Sequence, residues 1–186
     1  LFPETIDKIS NELTPMVATA RIIKEEHPDA LVVFIGPCAS KKLEASRRTI
    51  RSDVDFVITF EELTGMFEAK GILLEEIKAM DELQDATGAG RGYGVAGGVA
   101  SAIKECINTY YPGTEVKIEH AEGLTECKKM LLLAKAGKKE GCLIEGMACP
   151  GGCVAGAGTN IAIALAAKEV AKFKAQAKEA VPEKED

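Results

Sequence analysis

Glu145-Gly-Met147-Ala-Cys149-Pro-Gly-Gly-Cys153-Val-Ala places two thiols, with three residues between them, on a glycine-rich loop that also carries a thioether. Thiolates are the usual protein ligands of iron-sulfur clusters, and small intervening residues let backbone amides approach cluster sulfurs and tune their potential. A third thiol stands far upstream in Gly36-Pro37-Cys38-Ala-Ser-Lys41-Lys42-Leu-Glu44. There the cysteine follows an apolar run and a proline, with a cation and a carboxylate at fixed offsets. Cys38, Cys149 and Cys153 are therefore the candidate metal ligands.

Zinc is the chemical rival, because three cysteines and a histidine make a common tetrahedral site. His27 and His120 are distant from the thiols in sequence and read as surface or strand-end residues. A lysine beside the ligands fits an anionic cluster better than a closed zinc site. The other cysteines, Cys106, Cys127 and Cys142, read as small buried hydrophobes. Gly92-x-Gly94-x-x-Gly97 is a weak dinucleotide signal: it follows a polar stretch, not a strand, and no acidic residue stands at a strand end at the needed distance.

The elements that must carry these loops alternate. A first helix is expected over Pro3 to Glu12, and a second from Pro15 to about Glu26, capped by Thr14. Ala30 to Ile35 is a short apolar run without alternation, expected as a strand covered on both faces, and Cys38 follows its C-terminal end, where open α/β sheets place ligands. Strands at Asp55–Thr59, Glu115–Glu119 and Cys142–Glu145 are separated by helices at Glu61–Lys70, Gly97–Tyr110 and Leu124–Ala136. The Gly88–Gly94 stretch reads as a loop, and a final helix is expected over Asn160 to Ala177. Such alternation predicts an α/β fold of three layers, α/β/α, with a mainly parallel sheet of about four strands. Residues 1–180 read as one functional domain and 181–186 as a charged, frayed tail.

Of the 186 residues 46% are hydrophobic and 28% charged, ordinary for a globular chain. With no tryptophan and few aromatics, aliphatic and alanine side chains must build the core. A net charge of -6 argues against general nucleic-acid binding. No apolar run reaches a membrane span and no export signal opens the chain, so cytoplasmic residence, without membrane association, is expected. Lys41, Lys42, Arg47, Arg48 and Arg51 form a local basic cluster, either a solvated helix face or a dock for an acidic electron carrier.

Pro37 through Cys38 and Lys41 to Glu44, and Glu145 through Met147 and Cys149 to Cys153, resemble two hallmark motifs in the C-terminal domain of the iron-only (FeFe) hydrogenases. Gly92 to Val99 and Asp55 to Thr59 with Glu62-Leu63 resemble further stretches of that family. The family's first hallmark, Thr-Ser-Cys-Cys-Pro, is absent; Phe2-Pro3-Glu4 through Ser10 to Thr14-Pro15 resembles the segment that follows it. The chain is thus read as an excised fragment of a two-lobed domain, metal-free or poorly loaded and inactive alone.

The resemblance implies an H-cluster, meaning a 4Fe-4S cubane joined to a di-iron subcluster with carbon monoxide and cyanide ligands. Cys38 and Cys149 would bind the cubane alone, and Cys153 would also bridge to the iron pair. Lys41 would donate to a cyanide with Glu44 anchoring it, Met147 would pack beside the iron pair, and Ser10 would lie on the proton path. The plain alternatives are core filler for Met147 and an exposed helical serine for Ser10. Glycines 151, 152, 156 and 158 would offer amides to the anionic centre, with the helix after Asn160 adding its positive end. A ferredoxin-like carrier and hydrogenase maturation proteins would be the partners.

Gly36 stands where the family usually has methionine, Ala157 interrupts the glycines after Cys153, and Met16 replaces a polar residue. These departures touch the surroundings of the iron pair more than its ligation. Three activities fit: reversible dihydrogen formation in the parent protein, hydrogen sensing by a signalling relative, and a hydrogenase-like cluster-assembly role without the iron pair.

Overall fold

The computed structural model describes residues 2–47, 52–78 and 86–184. The chain divides into two units, one of Lys8–Ala79 with Gly156–Asn160, the other of Leu1–Asp7, Met80–Ala155 and Ile161–Asp186.

In the first unit, α1 (Pro15–Glu26) opens with proline in its first turn, where a missing N–H costs no intrahelical bond. Its Met16, Val17 and Ala20 share one face and are buried with Val54, against Val32, Phe34, Ala45 and Val57. β1 (Val33–Gly36) and β2 (Phe56–Thr59) pair in parallel, Val33 opposite Phe56 and Ile35 opposite Ile58. Phe34 and Val57 face α1. The opposite face is open, with Val33, Ile35 and Phe56 each more than 40% exposed. The strand expected to be covered twice is thus covered once among the described residues. α2 (Ser40–Ser46) follows the Cys38 loop. α3 (Phe60–Ala69) starts from a reciprocal cap: Thr59 Oγ1 accepts the Glu62 N–H at 3.1 Å, and Glu62 Oε2 accepts the Thr59 N–H at 2.8 Å.

Residues 156–160 are laid across the C-terminal ends of these strands. The Gly158 N–H donates to the Pro37 carbonyl at 3.0 Å, and its own carbonyl accepts the Glu61 N–H at 3.1 Å. A Cβ on Gly158 would overlap the Thr59 side chain. The final helix therefore begins not at Asn160 but at Ile163.

The second unit holds a 3-10 turn at Pro3–Lys8, shorter than the helix expected there, then α4 (Gly88–Arg91), α5 (Gly98–Tyr110), β3 (Lys117–Glu122), α6 (Leu124–Lys135), β4 (Cys142–Met147) and α7 (Ile163–Ala175). β3 and β4 are parallel, with His120 opposite Glu145 and Glu122 opposite Met147. The α/β class and parallel pairing hold, and among the described residues the four strands stand as two pairs instead of one sheet. Among the described residues the buried apolar ones of this unit are Ala89, Ala100, Ala102, Ala121 and Ala166. That is the alanine-built interior a chain poor in aromatics requires.

Gly88–Gly94, expected as a loop, begins with the single turn α4. Thr87 Oγ1 accepts the Gly90 N–H at 3.2 Å, and the carbonyls of Glu179 and Ala180 accept the N–H groups of Gly88 and Ala89 at 2.8 Å each. The segment before the charged tail is thereby tied to α4, and Lys184 Nζ lies 4.8 Å from the Tyr111 ring centroid. Among the described residues no helix is long and apolar enough to cross a membrane.

Candidate metal centre

In the second unit, β4 ends at Met147 and delivers the chain into the loop of Cys149, which is half-buried, and Cys153, which is exposed. Backbone groups and a carboxylate fix the path of this loop. Glu122, at the end of β3, accepts the Gly151 N–H through Oε2 at 2.7 Å. The Gly152 N–H donates to the Cys149 carbonyl at 3.0 Å, closing a turn. Ala96 N–H donates to the Gly151 carbonyl at 3.1 Å, and Val154 N–H to the Gly94 carbonyl at 2.9 Å. Gly151 and Gly152 sit at φ +94 and +90, and a Cβ on Gly152 would run into the backbone of Val95 and Ala96. The glycines at 92–98 thus serve as a backbone platform for the cysteine loop, which accounts for a pattern that otherwise suggests a nucleotide site.

That platform is held from β4 itself. Glu145 is 9% exposed, and its carboxylate accepts the Gly97 N–H through Oε1 and the Ala100 N–H through Oε2, both at 2.7 Å. It caps α5 from across the sheet and satisfies N–H groups that the helix cannot. Neither this role nor that of Glu122 emerges from motif reading. The available signal was a charge in the middle of an otherwise apolar strand, which must be paired if buried.

In the first unit, Cys38 is half-buried after β1. Lys41 Nζ donates to Glu44 Oε2 at 2.5 Å, and Thr14 Oγ1 donates to Glu44 Oε1 at 2.6 Å. Thr14 stands at the N-cap position of α1, but its hydroxyl goes to Glu44 and makes no backbone cap. Burial pushes the Glu44 carboxyl up. The hydrogen bonds from Lys41 and Thr14, with the charges of Lys41 and Arg47, outweigh it and hold the group below its ordinary value. Lys42 pairs with Glu62, while Arg48 and Arg51 of the basic cluster lie outside the described residues.

Ser10 is exposed in this unit, and its Oγ accepts the Glu12 N–H at 3.2 Å. Met147 is half-buried, its carbonyl accepting the Gly123 N–H at 2.8 Å. Cys149 and Cys153 thus share one loop, with Met147 at the end of the strand before it, whereas Cys38, Lys41, Glu44 and Ser10 belong to the other unit. Among the described residues no three His, Cys, Asp or Glu side chains are grouped for a metal ion.

Several local expectations are corrected. The amides of Gly151, Gly152 and Gly158 are already taken by Glu122, Cys149 and Pro37, so they are not open donors. Cys106, Cys127 and Cys142 are half-buried, not fully buried. The Cys127 thiol points at the carbonyls of Ala121 and Met147, 3.5 and 3.6 Å away.

The donor chemistry fits an iron-sulfur centre. In the second unit two soft thiols stand on one loop whose backbone is held by other groups.

The family model described as "Iron only hydrogenase large subunit, C-terminal domain" matches residues 1–157. The chain belongs to this family. The periplasmic Fe hydrogenase large subunit of Nitratidesulfovibrio vulgaris is 31% identical over 175 residues, covering 76% of this chain and 42% of that protein. The cytosolic Fe-S cluster assembly factor NAR1 of Kluyveromyces lactis is 38% identical over 64 residues, 34% of this chain and 14% of that protein. A variant of FeFe-hydrogenase HydA1 from Chlamydomonas reinhardtii superposes with TM-score 0.73 at 20% identity, covering 96% of this chain and 64% of that one. This last likeness shows the fold. The hydrogenase-family chain spans under half the length of these curated relatives and under two thirds of the solved structure.

Proposed function

We propose that the protein containing this chain interconverts protons, electrons and dihydrogen at an H-cluster. The observation that carries the reading is the family match across residues 1–157, which takes in both cysteine motifs. In this reading Cys38 and Cys149 would hold the cubane, and Cys153 would hold both the cubane and the iron pair. When bound, the cluster supplies electron storage at the cubane and a proton-reducing iron pair.

The protein's own residues hold and tune it. Lys41, steadied by Glu44, would offer its ammonium to a cyanide ligand, a charge-assisted contact that a neutral residue would weaken. Met147 excludes water with a polarizable side chain that does not titrate. Ser10 relays a proton because a hydroxyl both accepts and donates. A ferredoxin-like carrier delivers electrons, maturation proteins install the iron pair, and the protein resides in the cytoplasm, although the Nitratidesulfovibrio relative is periplasmic by name.

The test is infrared spectroscopy on the intact protein, matured and purified without oxygen. Bands from bound carbon monoxide and cyanide are expected, together with hydrogen turnover. Lys41→Asn is expected to lose those bands while keeping the cubane, since it removes no thiolate. Full turnover in that variant would remove Lys41 from its assigned role. The match to the Kluyveromyces assembly factor favours a second reading, cluster assembly without the iron pair. Iron and sulfide present, with no such bands after successful maturation, would select it.

A further inference from the structure

We propose that Glu122 is a positioning residue of the cysteine loop that lowers the reduction potential of the cubane this loop would hold. The inference rests on the cubane reading above. Glu122 is half-buried at the end of β3, and its Oε2 accepts the Gly151 N–H at 2.7 Å. Gly151 stands midway between Cys149 and Cys153, two residues from each. On its other side a Cβ would come within 2.8 Å of Ile163 Cγ2, so the glycine is confined between α7 and the carboxylate.

The contact has two electrostatic consequences of the same sign. It occupies an amide that would otherwise be open to an electron-rich sulfur. It also fixes a carboxylate against the stretch of backbone linking the two thiols. Amide hydrogen bonds and nearby cations favour the reduced, more negative state of a cluster. Withdrawing an amide and adding an anion favour the oxidised state, and a fixed charge acts over several ångströms because the loop is partly buried. Glu122 therefore makes the reduced cluster a stronger one-electron donor, in keeping with delivery of electrons to protons.

The test is a potentiometric titration of the cluster-loaded protein followed by electron paramagnetic resonance, with iron and sulfide analysis of every sample. Glu122→Gln keeps an oxygen acceptor for Gly151 and removes the charge. It is expected to retain iron and sulfide and to raise the reduced-to-oxidised ratio at a fixed poise by about threefold or more. A loaded Glu122→Gln protein with the wild-type potential overturns the proposal. Wild-type protein devoid of iron and sulfide overturns the cubane reading and this inference with it, which separates the two failures. Should the glutamine variant load poorly, amide hydrogen exchange on the metal-free chain decides the positioning role. Gly151 is expected to exchange several-fold faster in Glu122→Ala than in wild type, and equal rates overturn that role.

Discussion

Glu44 shows how a motif residue acquires a physical job. Its carboxylate is shared between Lys41 and Thr14, one contact within α2 and one reaching back 30 residues to the start of α1. Its ionisation therefore couples to folding. Because the folded carboxyl titrates below its ordinary value of 4.5, its contribution is fully present above that value and is lost as pH falls through the lower, folded one. Glu44→Gln is expected to cost about 1 kcal/mol at pH 7, typical of a partly exposed charged hydrogen bond. Urea midpoints for variant and wild type are expected to converge below pH 4.5. A gap that stays constant from pH 7 into acid would mean the carboxylate charge plays no part.

Among the elements, the joint of β4 to α5 depends on one side chain. Glu145→Ala would leave the half-buried Gly97 and the buried Ala100 N–H groups without this acceptor at the helix start, at a cost of about 2–4 kcal/mol. Thermal unfolding checks the cost, and Glu145→Gln, which keeps one acceptor oxygen, is expected to lose less. A midpoint for the alanine variant equal to wild type would show that α5 needs no such cap. This arrangement was illegible in the sequence because acceptor and donors are 48 and 45 residues apart. By contrast, the start of α1 was readable, since Pro15 in the first turn is a local signal. The start of α7 was misplaced for the opposite reason. Residues 156–160 are claimed by Pro37, Glu61 and Thr64, partners that no local window contains. The candidate ligands were legible as motifs, and the Gly92–Val99 stretch as a family-like glycine loop, while its work as a backbone platform through Gly94 and Ala96 was not, because those bonds reach residues more than 50 positions away.

Over the whole molecule, six cysteines fall into two chemical sets. Cys38 and Cys149 lie on loops that follow strands, with Cys153 opening the short 3-10 turn Cys153–Ala155 that ends its loop, whereas Cys106, Cys127 and Cys142 lie on or at the start of longer helices and strands. Thiols on loops can turn towards an inorganic centre without breaking a helix or a strand ladder. Those set in α5, α6 and β4 are constrained by packing, and Cys127 is aimed at two carbonyls. If this division is functional, replacing the second set by alanine leaves iron and sulfide content of the intact, anaerobically purified protein near wild type. The cost to stability would be about 1 kcal/mol per site, from lost packing of a small half-buried side chain. Replacing Cys38, Cys149 and Cys153 instead abolishes loading with little loss of stability, since exposed or half-buried loop thiols contribute little to a core. Elemental analysis with circular dichroism separates the cases. Loading that survives loss of the first set, or zinc in place of iron and sulfide, would assign the thiols to a different centre.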